Sequence, residues 1–176
     1  MMENKMFCYQ CQETVGNQGC SQVGVCGKTP ETAGLQDLLI DVTKGVAEVI
    51  NEVRCKCKEI NNVYDYQVSE NLFITITNAN FDDQMIIEAV RKTLTLKKEL
   101  LLQLDDQAVL SNRALWMEMD IEAIEKRMQM VGVLETADED IRSLKQLITY
   151  GLKGMAAYNK HAHALGFRKD EIDRFI

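Results

Sequence analysis

A single proline and ten glycines punctuate 176 residues, too few breaks for a sheet protein built from many short turns. Positive charge is also in deficit: 20 lysines and arginines stand against 27 carboxylates, a net charge of −7. An acidic chain of this kind suits neither nucleic acid nor an anionic membrane surface. No apolar run approaches the ~20 residues that a membrane span needs. The opening Met1-Met2-Glu3-Asn4-Lys5 lacks the basic end and apolar stretch of a secretory signal, so a cytoplasmic location is expected. There is no phosphate-cradling glycine loop, no G-x-S-x-G and no Ser/His/Asp set. What remains is ordinary soluble composition, with 46% hydrophobic and 27% charged residues. A chain this long removes roughly 70% of its unfolded surface from water, enough for one domain or two small helical units.

Hydrophobic spacing predicts an all-α protein: two antiparallel, three-helix-type bundles with a cysteine-rich loop at the amino end. The expected division is a loop over 1–29, a first bundle over 30–107 and a second over 108–176. Thr29 is the cap and Pro30 the first residue of a long helix. Its stripe runs from Leu35, Leu38 and Leu39 through Val42, Val46, Val49 and Val53 to Ile60, ending at Asn61-Asn62. Residues 69–77 carry β-branched side chains, yet their helical surroundings favour a short buried helix over a strand. Asn80 or Asp82 caps the next helix, striped by Ile86, Ile87, Val90, Leu94, Leu101 and Leu104 and interrupted at Asp105-Asp106. Asp120 caps another, ending near Val131-Gly132. A long helix opens between Thr136 and Asp140, carries Ile141, Leu144, Leu147, Ile148, Leu152, Met155 and Ala156 as its expected buried face, and closes at Gly166. A last helix begins around Arg168.

Four of the six cysteines fall within the first 26 residues, at Cys8, Cys11, Cys20 and Cys26. In a reducing compartment such a cluster points to metal rather than a disulfide frame. The spacing C-x2-C-x8-C-x5-C has one tight turn, whereas structural zinc usually uses two, and it matches neither common ferredoxin spacing. Iron–sulfur, zinc and unliganded or disulfide thiols therefore all stay open on spacing. Gly16, Gly19, Gly24 and Gly27 give the loop backbone freedom and close access to sulfur. Four inert buried thiols fit poorly, because this polar segment has no apolar body to hide them.

The stretch Met6-Phe7-Cys8-Tyr9-Gln10-Cys11-Gln12-Glu13-Thr14, with Gly19-Cys20 and Gly24-Val25-Cys26-Gly27-Lys28-Thr29-Pro30-Glu31, closely resembles the amino terminus of the hybrid-cluster (prismane) protein family. Leu35-Gln36-Asp37-Leu38-Leu39-Ile40 looks like that family's first helix, and Tyr150-Gly151-Leu152-Lys153-Gly154-Met155-Ala156-Ala157-Tyr158 is similar to a second family segment. The resemblance implies that Cys8, Cys11, Cys20 and Cys26 bind a [4Fe–4S] cubane, the electron-entry centre of a hydroxylamine reductase. The family's [2Fe–2S] form, with other cysteine spacing, fits less well. Family members are longer and hold a hybrid iron–sulfur–oxygen cluster through His, Glu and Cys motifs that do not occur here. The implied reading is an amino-terminal fragment, truncated within its second bundle, without the catalytic centre and inactive alone. Its implied partners are the remaining domains of the parent chain and a redox donor protein, with self-association through the uncovered surface, expected to be apolar around Trp116 and the nearby methionines. The competing reading is a stand-alone zinc- or cluster-binding electron-transfer or interaction module.

Other reactive side chains read as structural. Cys55 and Cys57, like His161 and His163, sit two apart on expected helices, about 200° from each other, and cannot share one ion there; metal-binding helix pairs use i, i+4 spacing. Met117, Met119, Met128 and Met130 read as core or interface filler and Trp116 as an anchor between helices. Lys97-Lys98-Glu99 reads as solvated helix face and Asp138-Glu139-Asp140 as first-turn acids.

Overall fold

The computed structural model describes residues 6–56, 59–76, 79–104 and 108–176. Among them the regular structure is helical: α1 Pro30–Cys55, α2 Val63–Ile74, α3 Asp83–Leu101, α4 Asn112–Leu115, α5 Ile121–Met128, α6 Glu139–Ala164 and α7 Asp170–Phe175. Residues 69–74 are helical as expected, within α2. One isolated antiparallel bridge, Cys8 to Cys20, is the sole extended pairing among the described residues. No helix described is long and apolar enough to cross a membrane.

The central helix is α1. Thr29 accepts a hydrogen bond from the Thr32 amide at 3.1 Å, and Pro30 takes the first position, where a missing N–H is harmless. Leu35, Leu38, Leu39, Val42, Val46, Val49, Ile50 and Val53 are all buried, each worth about 1.5–3 kcal/mol relative to exposure. The helix stops at Cys55 rather than at Asn61-Asn62. Between Val53 and Ile60 no aliphatic or aromatic side chain is available to hold two more turns on the core. Arg54 instead pairs with buried Asp65 of α2, and Ile60 packs against the core from the connecting loop.

Asp82 caps α3, accepting from the Met85 amide at 3.1 Å, and Ile86, Val90, Leu94 and Leu100 close the core against α1. Where α1, α2 and α3 meet, Asn71 donates to the Thr43 and Thr93 hydroxyls at 3.0 and 2.8 Å and accepts from Gln67 at 2.7 Å. Each buried polar group there has a partner. The Asp105-Asp106 interruption lies outside the described residues.

The short α4, which the apolar spacing did not announce, lies across α1 at Gly45. A Cβ at Gly45 would stand 2.6 Å from the Arg113 carbonyl oxygen, so only glycine allows this approach. Buried Asp41 of α1 pairs with Arg113 of α4 and with Arg127 of α5, the latter at 2.8 and 3.0 Å. Arg127 also covers the Trp116 ring at 5.6 Å. Trp116, Met117, Met119 and Met128 pack against the core as expected of filler, so the exposed apolar surface lies on α6 rather than around Trp116; Met130 is exposed.

Asp138 caps α6, and Gly166 at φ 82° ends it, its amide donating to the His163 carbonyl and that of Phe167 to Ala162. The expected buried face of α6 holds only at Ala156, which is buried, and Leu152, which packs on the core; its amino-terminal half is exposed. Ile141, Leu144, Leu147 and Ile148 are 50%, 61%, 68% and 64% exposed. The face that meets α2 carries Thr149, Lys153, Ala156, Asn159 and His163. Asn159 donates to Ser69 at 3.1 Å and to Asp173 of α7 at 2.6 Å, and His163 stacks on Tyr66 at 4.2 Å.

Candidate metal centre

The loop before α1 is ordered by backbone hydrogen bonds. Cys8 and Cys20 exchange amide-to-carbonyl bonds at 3.0 and 2.8 Å, and Met6 donates to Ser21 at 3.2 Å. Directly opposed residues of an antiparallel pair present their side chains to the same face, so Cys8 and Cys20 lie side by side. Gly24 and Lys28 then close a turn through Gly24 N to Lys28 O at 2.8 Å. Gly16, Gly19 and Gly27 have positive φ values of 59°, 128° and 87°, the freedom their sequence position suggested. Gly24 acts differently, since a Cβ there would stand 3.0 Å from Cys26 Sγ. The four thiols are free, with Cys20 buried, Cys8 and Cys11 half-buried and Cys26 exposed. Among the described residues, no three His, Cys, Asp or Glu side chains stand close enough to hold one metal ion.

Beneath the loop lies a set of polar groups that the cysteine spacing did not reveal. Lys28 is 2% exposed, and its Nζ lies 3.9 Å from Cys8 Sγ. Lys153 of α6 is 6% exposed and donates to Gln10 Oε1 at 3.2 Å and to the Thr75 carbonyl at 3.0 Å. Tyr9 meets the edge of Tyr150 with ring centres 6.3 Å apart, and Phe7 packs on Tyr9 at 5.3 Å. Among the described residues the buried Tyr150 hydroxyl has no hydrogen-bond partner. Burial, with Tyr9, Cys8 and Asp37 nearby, pushes its pKa well above the ordinary range. Asp37 of α1 faces Lys153, Lys28 and Lys44; burial raises its carboxyl to about 7 despite those cations. Burial also lowers Lys153 to about 8. Hence Lys28 adjoins Cys8 and Lys153 adjoins the loop at Gln10, opposed by the Asp37 carboxyl, whose charge is partly suppressed.

This donor set fits an anionic thiolate-bound group. Four thiols within one loop would offer the ligands, and the buried Tyr150 O–H, without an acceptor among the described residues, is a polar group of the kind such a site employs. Two stretches far apart in sequence meet here. Lys28 follows the last loop cysteine by two positions, and Tyr150 and Lys153 belong to the α6 segment from 150 to 158. Their shared link to one family was the available signal; nothing in their spacing predicts contact.

The remaining candidates separate from the loop. Cys55 is exposed at the end of α1, so the expected shared helix with Cys57 ends between them; Cys57 lies outside the described residues. His161 is exposed and meets Phe73 edge-on at 6.0 Å, whereas His163 is buried with Nε2 3.1 Å from Asp173 Oδ1. Lys97 corrects the solvated-face expectation. It is fully buried, donating to the Arg113 and Trp116 carbonyls at 3.1 and 2.7 Å, which satisfies oxygens around α4. Its position in the series Val90, Leu94, Lys97, Leu101 places it on the α3 stripe, the signal that identifies it as inward-facing.

A four-thiol loop seated on a helical bundle, with lysines beneath it, defines a helical protein with a cysteine-rich amino-terminal loop. Residues 6–176 match the model of the Prismane/CO dehydrogenase family, and the chain belongs to that family. It is 54% identical over 175 residues to a hydroxylamine reductase of Desulfovibrio desulfuricans, covering 99% of this chain and 32% of that protein. Hydroxylamine reductases of Bacteroides fragilis and Clostridium perfringens are 48% and 46% identical, each covering 97% of this chain and 31% and 32% of their own lengths. The chain thus spans about a third of the length of the curated relatives it matches.

Proposed function

We propose that this chain is the electron-entry part of a cytoplasmic hydroxylamine reductase, and that Cys8, Cys11, Cys20 and Cys26 hold a [4Fe–4S] cluster. The likeness to relatives named hydroxylamine reductase along nearly the whole chain carries this reading. Bound there, the cluster supplies one-electron transfer. The chain's own work is to hold four thiolates from one loop, to place Lys28 beside Cys8 and Lys153 beneath the loop, and to pin the loop to α6 through Gln10 and Tyr9. A cubane with four protein thiolates has no open coordination position. Reduction of hydroxylamine to ammonia and water therefore belongs to a hybrid cluster in the rest of the parent protein, and these 176 residues alone are inactive.

The exposed apolar face of α6, through Ile141, Leu144, Leu147 and Ile148, is the surface against which the rest of the parent chain packs. A donor protein delivers electrons on the loop side. Anaerobic reconstitution with iron and sulfide tests the ligand set. Wild type and Cys55→Ala should take up equal iron and show a cubane spectrum, while Cys20→Ala should not. Equal iron in Cys20→Ala would overturn the assignment, and one bound zinc in a colourless protein would favour the stand-alone module. Ammonia formation by the reconstituted chain, with reduced viologen and hydroxylamine, would refute the inactive-fragment reading.

A further inference from the structure

Two buried lysines lie beneath the cysteine loop. Lys28 is almost wholly buried, its side chain ends 3.9 Å from Cys8 Sγ, and no carboxylate hydrogen-bonds to it among the described residues. Lys153 reaches up from α6 to Gln10, between Cys8 and Cys11, and takes its second contact from the Thr75 carbonyl. A structural lysine would be expected to satisfy carbonyls, as Lys97 does and as Lys153 does in part at Thr75. Lys28 instead directs its ammonium at sulfur. The Tyr150 hydroxyl, on the same helix as Lys153, is buried without a hydrogen-bond partner among the described residues.

We propose that Lys28 and Lys153 are positioning residues that set the reduction potential of the group bound by Cys8, Cys11, Cys20 and Cys26, holding it higher than the loop alone would. The physical basis is charge. A thiolate-ligated cluster becomes more negative on accepting an electron. A cation fixed beside a ligating sulfur at low dielectric stabilises that reduced form more than the oxidised one. Asp37 opposes them, but its carboxyl is partly neutralised by burial, so the local balance stays positive. The inference rests on the cluster reading proposed above.

The test is a potentiometric titration of the reconstituted chain followed by electron paramagnetic resonance, with iron counted per chain. Lys28→Met should make the cluster at least tenfold harder to reduce, which for a one-electron couple is a fall of 59 mV. Lys153→Met should lower the potential by less, because Lys153 meets the loop through Gln10 rather than at sulfur. Lys28→Arg keeps the charge and should return the potential towards wild type. Lys126→Met, on the exposed side of α5, should leave it unchanged. An unaltered potential in Lys28→Met, with full iron content, would overturn the inference and leave the cluster reading intact. If Lys28→Met folds but loses its iron, Lys28→Arg decides: restored iron and potential support the role of charge, and their absence overturns it. Wild type that accepts no iron would instead remove the cluster reading itself.

Discussion

Helices α1 and α6 have the same length, 26 residues each, and both carry an apolar stripe at helical spacing, yet they bury opposite kinds of surface. In α1 the stripe from Leu35 to Val53 is the core. In α6 the stripe from Ile141 to Ile148 faces solvent, and the inward face is Thr149, Lys153, Asn159 and His163 with Ala156 as its one fully buried apolar residue. The inward polar groups of α6 are mostly matched: Asn159 by Ser69 and Asp173, Lys153 by Gln10 and Thr75. An apolar stripe thus shows that a helix face needs cover without saying what covers it. A buried polar face specifies its neighbours, because each group requires a particular partner.

The largest expected effect comes from equal truncations on the two stripes. Leu38→Ala on α1 should cost 2–5 kcal/mol, approximately, through lost burial and a cavity. Ile148→Ala, 64% exposed on α6, should stay within about 0.5 kcal/mol. Urea unfolding of both variants measures this. Equal losses would mean that the α6 stripe is covered after all.

A smaller effect should follow from the inward face of α6. Asn159→Leu removes donors to Ser69 and Asp173 and leaves both acceptors buried, at a cost of about 1–3 kcal/mol. If the leucine variant were more stable than wild type, the polar contacts would not be what seats α6 on α2.

Lys97 of α3 offers an intermediate case, a buried cation on an otherwise apolar face. Burial lowers its pKa from 10.5 to about 8. Below about 8 the amine is charged in both states and the full cost of burying it is present. Between about 8 and 10.5 the folded protein releases the proton first, so this group makes stability rise with pH. The stability of wild type relative to Lys97→Met should therefore increase between pH 7 and pH 9.5 by roughly 2 kcal/mol. A constant difference would show that the ammonium is better solvated than its position suggests.

Much of the fold was legible because helix ends are local chemistry. Thr29-Pro30, Asp82, Asp120, Asp138 and Gly166 bound their helices as their side chains or backbone freedom suggest. The end of α1 was misplaced because Ile60 keeps the helical spacing while reaching the core from a loop. The inversion of α6 was not legible. Its inward residues are polar, and only the positions of Ser69, Thr75, Asp173 and Gln10 show that they have partners. The cysteine ligand candidates stood out through density and flanking glycines. Lys28, Lys153 and Tyr150 did not, since residues 125 positions apart, Lys28 and Lys153, meet only after α1, α2 and α6 have packed.

The smallest expected effect on stability bears on what covers α6. Monomeric soluble proteins rarely leave a contiguous apolar patch of this kind open. The double substitution Leu144→Lys and Ile148→Lys places two cations among Ile141, Leu147 and Met155 on the outer face. Since neither side chain is buried, unfolding free energy should shift by no more than about 0.5 kcal/mol. Association should respond instead. Wild type should sediment as dimers or larger species with rising concentration, and the double variant as a monomer. Reduced self-association at unchanged stability would mark the stripe as an interface, the role proposed for it towards the rest of the parent chain. A wild type that stays monomeric at every concentration would show that the exposed stripe is tolerated without a partner. A double variant that loses several kcal/mol would show that the stripe is already covered within the chain, and the contrast between α1 and α6 would fall.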